Sequence, residues 1–151
     1  MPTVESTLTI DAPAGEVYAA ARDRIEELAG HLDNVESIEV LEREGPRTLS
    51  RWAGSVDTPF GQSVRFRWTE ADIWDDAAMT CTFDQTEGDF DMYKGTWAFA
   101  DHDGKCACTL QIEFAKDIPG IGPLIQGLLQ RKVQEMADNT LSGLKRMVEG
   151  G

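Results

Sequence analysis

The residues able to do chemistry in this chain are few and scattered. A nucleophilic triad needs a histidine beside a serine or cysteine. The two histidines are His31, at the end of a short helical stretch, and His102, in an HDG turn. Neither is placed to serve. The three cysteines, Cys81, Cys106 and Cys108, are odd in number and show no disulfide or zinc-ligand spacing. Cys106 and Cys108 stand two apart in a strand-like stretch and share one face. Buried, reduced thiols are expected, because free cysteine behaves as a small apolar residue. No glycine-rich loop leads from a strand into a helix, so phosphate binding lacks its motif. No metal and no cofactor is expected. Carboxylates are abundant, but Glu87–Asp91 lie at one turn, and Glu70, Asp72, Asp75 and Asp76 border another. They are expected as solvated surface. That leaves Tyr93 as the ionisable inward residue besides the thiols. A phenol with a pKa near 10 donates hydrogen bonds well but is a poor base at neutral pH. Tyr93 is therefore only a weak catalytic candidate, and binding is expected rather than catalysis.

The elements that must position these residues follow from periodicity. Val4–Ile10 alternates as a strand. In the stretch after it, Pro13 suits a first helical turn. Val17, Ala20 and Ala21 form one short apolar face, and Ile25, Leu28 and Leu32 form another. Two short helices are predicted, with a break near Arg22–Arg24. Six strands follow: Val35–Arg43, Thr48–Val56, Ser63–Trp74, Met79–Gln85, Phe90–Ala100 and Lys105–Ala115. Turn chemistry separates them at Gly45-Pro46, Thr58-Pro59-Phe60-Gly61, Asp75-Asp76, Glu87-Gly88 and Asp103-Gly104. Such short connections force antiparallel neighbours. The segment IPGIGP breaks the last strand. From Ile121 to Val148 apolar residues then recur at helical spacing over roughly 45 Å. Gly127 and Gly143 interrupt this helix. Close approach of helix to sheet explains them, or Gly127 opens room for a ligand.

The predicted fold is α+β: a curved seven-stranded antiparallel sheet wrapped around a long C-terminal helix, with two short helices after the first strand. Residues 1–151 are read as one domain. Strand parity turns Val64, Phe66 and Trp68 to one face, and Cys81 and Phe83, Tyr93 and Trp97, and Cys108 and Leu110 with them. Arg51, Arg65 and Arg67 fall on the opposite face. A hollow between sheet and helix would be lined by Trp52, Phe66, Trp68, Cys81, Phe83, Tyr93, Trp97, Cys108 and Leu110, with Leu124, Leu128 and Met136 from the helix. These are the candidate ligand-binding residues.

Composition narrows the partners. Lys plus Arg is 14 and Asp plus Glu is 27, a net charge of −13. That balance opposes nucleic acid and anionic membrane surfaces. No apolar run is long enough to cross a bilayer, and the N-terminus lacks signal-peptide features. Reduced thiols then suggest a cytoplasmic protein. Protein partners cannot be read from the residues.

The stretches IDAPAGEVYAAARD, GDFDMYKGTWAF and IPGIGPLIQGLLQRKVQEMADNTLSGLKRMVE, in this order of elements, resemble the START-like helix-grip superfamily that includes the birch pollen allergen. Within it the chain looks like the polyketide cyclase/dehydrase and coenzyme Q-binding branch. Coenzyme Q-binding members tend to carry an aromatic-Pro-aromatic patch where this chain has GHLDNVES. The resemblance implies an apolar cavity holding a lipid, isoprenoid or aromatic polyketide for binding or transport. It leaves two alternatives: a cyclase or dehydratase using the same cavity, and a chaperone-activator-like module that binds another protein.

Overall fold

The computed structural model describes residues 3–32, 35–57, 63–116 and 123–150, with the backbone alone at 56, 57, 64 and 123–126. Strand β1 (Thr3–Ile10) leads into helix α1 (Ala14–Asp23) and a 3₁₀ helix (Ile25–His31). Strands β2 (Val35–Glu44), β3 (Arg47–Asp57), β4 (Ser63–Asp75), β5 (Thr80–Gly88), β6 (Met92–His102) and β7 (Lys105–Ala115) follow. Helix α2 (Pro123–Glu149) comes last. The expected turn at Thr58–Gly61 and the lead Ile118–Gly122 lie outside the described residues.

One antiparallel sheet runs in the order β1-β7-β6-β5-β4-β3-β2. Each strand from β2 to β7 pairs with its neighbour in sequence, as short turns require. A two-residue turn joins β6 to β7, as another joins β2 to β3. Asp103 and Gly104 both have positive φ there, 53° and 81°, between the paired residues His102 and Lys105. That is the two-residue hairpin whose twist matches the strands. Pro13 precedes α1, and Val17, Ala20 and Ala21 bury its apolar face. Ile25 and Leu28 do the same for the 3₁₀ helix.

The core lies between the sheet's inner face and α2. Leu129, Val133, Ala137, Leu141 and Leu144 are buried at helical spacing along α2. Cys106, Cys108, Leu110, Ile112 and Phe114 supply the facing side of β7. Arg51, Arg65 and Arg67 are on the outer face, as parity requires. Between Thr69 and Glu70 the register of β4 against β5 slips, with Thr86 the extra residue on β5, and Thr69 and Glu70 are both buried. No described helix is long and apolar enough to cross a membrane.

Candidate functional site

Strands β3 and β4 carry the polar part of the interior. Their register sets Thr48 opposite Asp72, Ser50 opposite Glu70 and Trp52 opposite Trp68. All six side chains are buried. Glu70 is 4% exposed and Asp72 6%. This overturns the expectation that these two carboxylates are solvated. Trp68, Glu70, Asp72 and Trp74 alternate along β4, and the parity that turns Trp68 inward turns the acids inward too.

Three chains of donors converge on these acids. The Trp52 indole N–H donates to Ser50 Oγ at 3.1 Å, and Ser50 donates to Asp72 Oδ2 at 2.8 Å. The Trp74 indole donates to Thr48 Oγ1 at 3.0 Å, and Thr48 donates to the same Oδ2 at 3.0 Å. The Trp68 indole donates to Glu70 Oε1 at 2.8 Å. Asp72 Oδ2 thus accepts from two hydroxyls at once. Burial, then the neighbouring Asp72 charge and the hydrogen bond to Asp72, push the Glu70 carboxyl well above its usual range. The Trp68 hydrogen bond opposes this and loses. Glu70 thus holds its proton more tightly than an ordinary carboxyl, beside Asp72 and inside the sheet.

Two small hollows separate this face from α2. The inner one, about 20 Å³, is lined by Trp52, Trp68, Glu70, Phe83, Tyr93, Trp97, Leu110, Ile112, Met136 and Thr140. The outer one, also about 20 Å³, is lined by Gly54, Ser55, Phe66, Trp68, Phe90, Leu129, Lys132, Val133 and Met136. Each has room for about one water molecule. Trp68 and Met136 line both. A larger depression of about 470 Å³ lies on the outer face, around Lys94, Thr96, Gln111 and Glu113. It is open, with mixed polar and apolar walls, and among the anticipated site residues it touches Phe83 alone.

Of those anticipated residues, Trp52, Trp68, Phe83, Tyr93, Trp97, Leu110 and Met136 meet at the inner hollow, and Phe66 meets Trp68 and Met136 at the outer one. Cys81 and Cys108 are buried but line neither, and Leu128 is half-buried and lines neither. The Leu124 side chain lies outside the described residues. Burial raises both thiols, and it pushes Cys106 up to about 11, so none of the three is a ready nucleophile.

Tyr93 packs 4.9 Å from Trp68, 4.9 Å from Phe90 and 5.7 Å from Phe83, measured between ring centres. Burial first and the Glu70 carboxyl second push its phenol up. Tyr93 is therefore a donor and not a base. The residues missed in the sequence are Glu70, Asp72, Thr48, Ser50, Phe90 and Thr140. Strand alternation would have found the first four. Thr140 on α2 is buried, its hydroxyl donating to the Met136 carbonyl at 2.6 Å.

Residues 1–149 match the family model described as polyketide cyclase/dehydrase and lipid transport. The structure is similar to TTHA0849 from Thermus thermophilus, with 38% identity, a TM-score of 0.91, and 99% of this chain and 98% of that one covered. It is similar to the Zhui aromatase/cyclase from Streptomyces sp. R1128, with 22% identity, a TM-score of 0.83, and 97% and 93% covered. A STAR-related lipid transfer protein from Xanthomonas axonopodis gives 16% identity, a TM-score of 0.73, and 96% and 84% covered. No curated protein matches the chain. The helix-grip architecture and the match along almost the whole sequence place this chain in the polyketide cyclase/dehydrase and lipid transport family.

Proposed function

We propose that this protein binds a hydrophobic small molecule between the sheet and α2. One observation carries the reading: the inner and outer hollows, both walled by aromatic rings, adjoin across Trp68 and Met136. Met136 is the unbranched member of that partition, and it can repack with little strain. An apolar ligand spanning both hollows would bury its surface against Phe66, Phe90, Trp68, Tyr93 and Val133. The family description names lipid transport, and the similarity to a lipid transfer protein agrees with such a cargo.

A test is native mass spectrometry of the purified protein, followed by organic extraction and titration with an environment-sensitive apolar dye. A retained apolar molecule or saturable dye binding is expected. Finding neither would remove the reading.

A second reading is a cyclase or dehydratase acting on the same kind of molecule. The buried Glu70, its carboxyl pushed well above the usual range, favours it, because an acid held inside an apolar interior can protonate a ketone oxygen during ring closure. The family description names this activity as well. Conversion of the bound compound by the native protein, lost in Glu70→Gln, would promote this reading over simple binding.

A further inference from the structure

Resting on the ligand reading above, we propose that Tyr93 and Glu70 form a seat for one uncharged ligand oxygen, from a ketone, a phenol or an alcohol. The same seat disfavours carboxylate- and phosphate-headed molecules. The first support is the Tyr93 hydroxyl. Tyr93 is 4% exposed and lines the inner hollow, yet its hydroxyl has no hydrogen-bond partner among the described residues. The O–H meets open space and not a protein acceptor, so an acceptor placed in that hollow would take it. The second support is size. About 20 Å³ accommodates a single oxygen atom beside the phenol and not a branched headgroup.

The third support is charge. Glu70 also lines the inner hollow, with Oε1 taking the Trp68 indole N–H. Its remaining lone pairs can accept from a ligand hydroxyl while that oxygen accepts from Tyr93. Behind Glu70 stands the Asp72 carboxylate. The lining contains no Lys, Arg or His. An anionic headgroup would bring a negative charge beside two carboxyl groups, into a low-dielectric interior without a counterion. Among the described lining residues the nearby cation is Lys132 of the outer hollow, which faces Glu135 at 3.4 Å. An uncharged oxygen meets none of this repulsion.

Three probes of one ring size separate the contributions: naphthalene, 2-naphthol and 2-naphthoate, measured by equilibrium dialysis at pH 7. The expected result is 2-naphthol binding about three- to tenfold more tightly than naphthalene, the effect of one or two neutral hydrogen bonds. 2-Naphthoate is expected at least about tenfold weaker than 2-naphthol. Tyr93→Phe keeps the ring and should bring the ratio of 2-naphthol to naphthalene affinity down to about one. The comparison of the three probes on the unsubstituted protein stands whatever the variant does. If 2-naphthol binds no better than naphthalene, or 2-naphthoate binds as well as 2-naphthol, the seat is overturned and the apolar-ligand reading survives. If none of the three binds saturably, both fall.

Discussion

Asp72 is where three tryptophans meet. Trp52 reaches it through Ser50, Trp74 through Thr48 and Trp68 through Glu70, so each indole N–H serves one buried carboxyl group. The cost falls on Glu70, which holds its proton to a higher pH in the folded protein than in the unfolded chain. Above the ordinary value of 4.5 the folded state therefore binds more protons, and stability falls as pH rises. One such proton changes stability by at most about 1.4 kcal/mol per pH unit. Asp23, Glu27, Asp76 and Glu149 act in the other direction. Hydrogen bonds from Arg22, Arg24, Tyr18 and the Asp11 backbone N–H lower them, and that stabilisation is lost only as pH falls below the usual carboxylate range. The two windows are separate. Glu70→Gln keeps the pair intact, since the amide oxygen accepts from Trp68 and the amide N–H donates to Asp72. Its urea-unfolding free energy from pH 5 to 8 should lose the decline seen in the unsubstituted protein, and at pH 8 the variant should be at least as stable. An identical decline in both proteins would show that Glu70 does not ionise in this range. These acids were legible by alternation with Trp68 and Trp74. They were misread because a carboxylate near a turn is normally solvated, and what reverses this is a cross-strand partner such as Thr48 or Ser50, which only the register supplies.

At the scale of elements, turn chemistry and apolar period were enough to lay out the sheet and α2. Short connections leave one order for β2 to β7, and a stripe at helical spacing leaves one buried face. What a helix residue touches is a different question, and the two glycines of α2 show it. Gly127 was expected to mark a close approach or an opening for a ligand. It is exposed, and nothing stands within 4 Å of where a Cβ would be. Gly143 does mark a close approach, but to the 3₁₀ helix instead of the sheet. A Cβ there would overlap Leu32 Cδ2 and press on the His31 carbonyl oxygen at 3.1 Å. The sequence could not distinguish them, because both are glycines in one helix and the difference lies in a segment over a hundred residues away. Gly127→Ala should stabilise by about 0.5–1 kcal/mol, the helix-propensity gain. Gly143→Ala should lose that gain to overpacking and come out about 1 kcal/mol less stable. Chemical denaturation of both variants checks the pair. Equal stabilisation by the two alanines would mean the 3₁₀ helix yields freely.

Across the whole molecule, α2 is tied along one side. It packs against β1, β7, α1 and the 3₁₀ helix. Lys145 Nζ donates to the Thr9 carbonyl at 3.1 Å, Gln134 Nε2 donates to the Glu5 carbonyl at 3.0 Å, and Arg146 donates to the His31 carbonyl. Toward β3 and β4 the helix meets the sheet through the side chains around the two hollows. A ligand larger than a water molecule must therefore find its room on that side, by moving side chains and not by breaking the polar ties to β1. Met136 is the residue whose removal tests this, because it lines both hollows and is only half-buried. Met136→Ala should merge the hollows, lower the unfolding free energy by about 1–3 kcal/mol and tighten naphthalene binding. Leu141→Ala is the matched control. Leu141 is fully buried and lines neither hollow, so its truncation should cost about 2–5 kcal/mol with no gain in binding. Dialysis and urea unfolding on the same two variants give both quantities. A Met136→Ala protein that loses stability yet binds naphthalene no better than the unsubstituted chain would place the ligand elsewhere than across Trp68 and Met136.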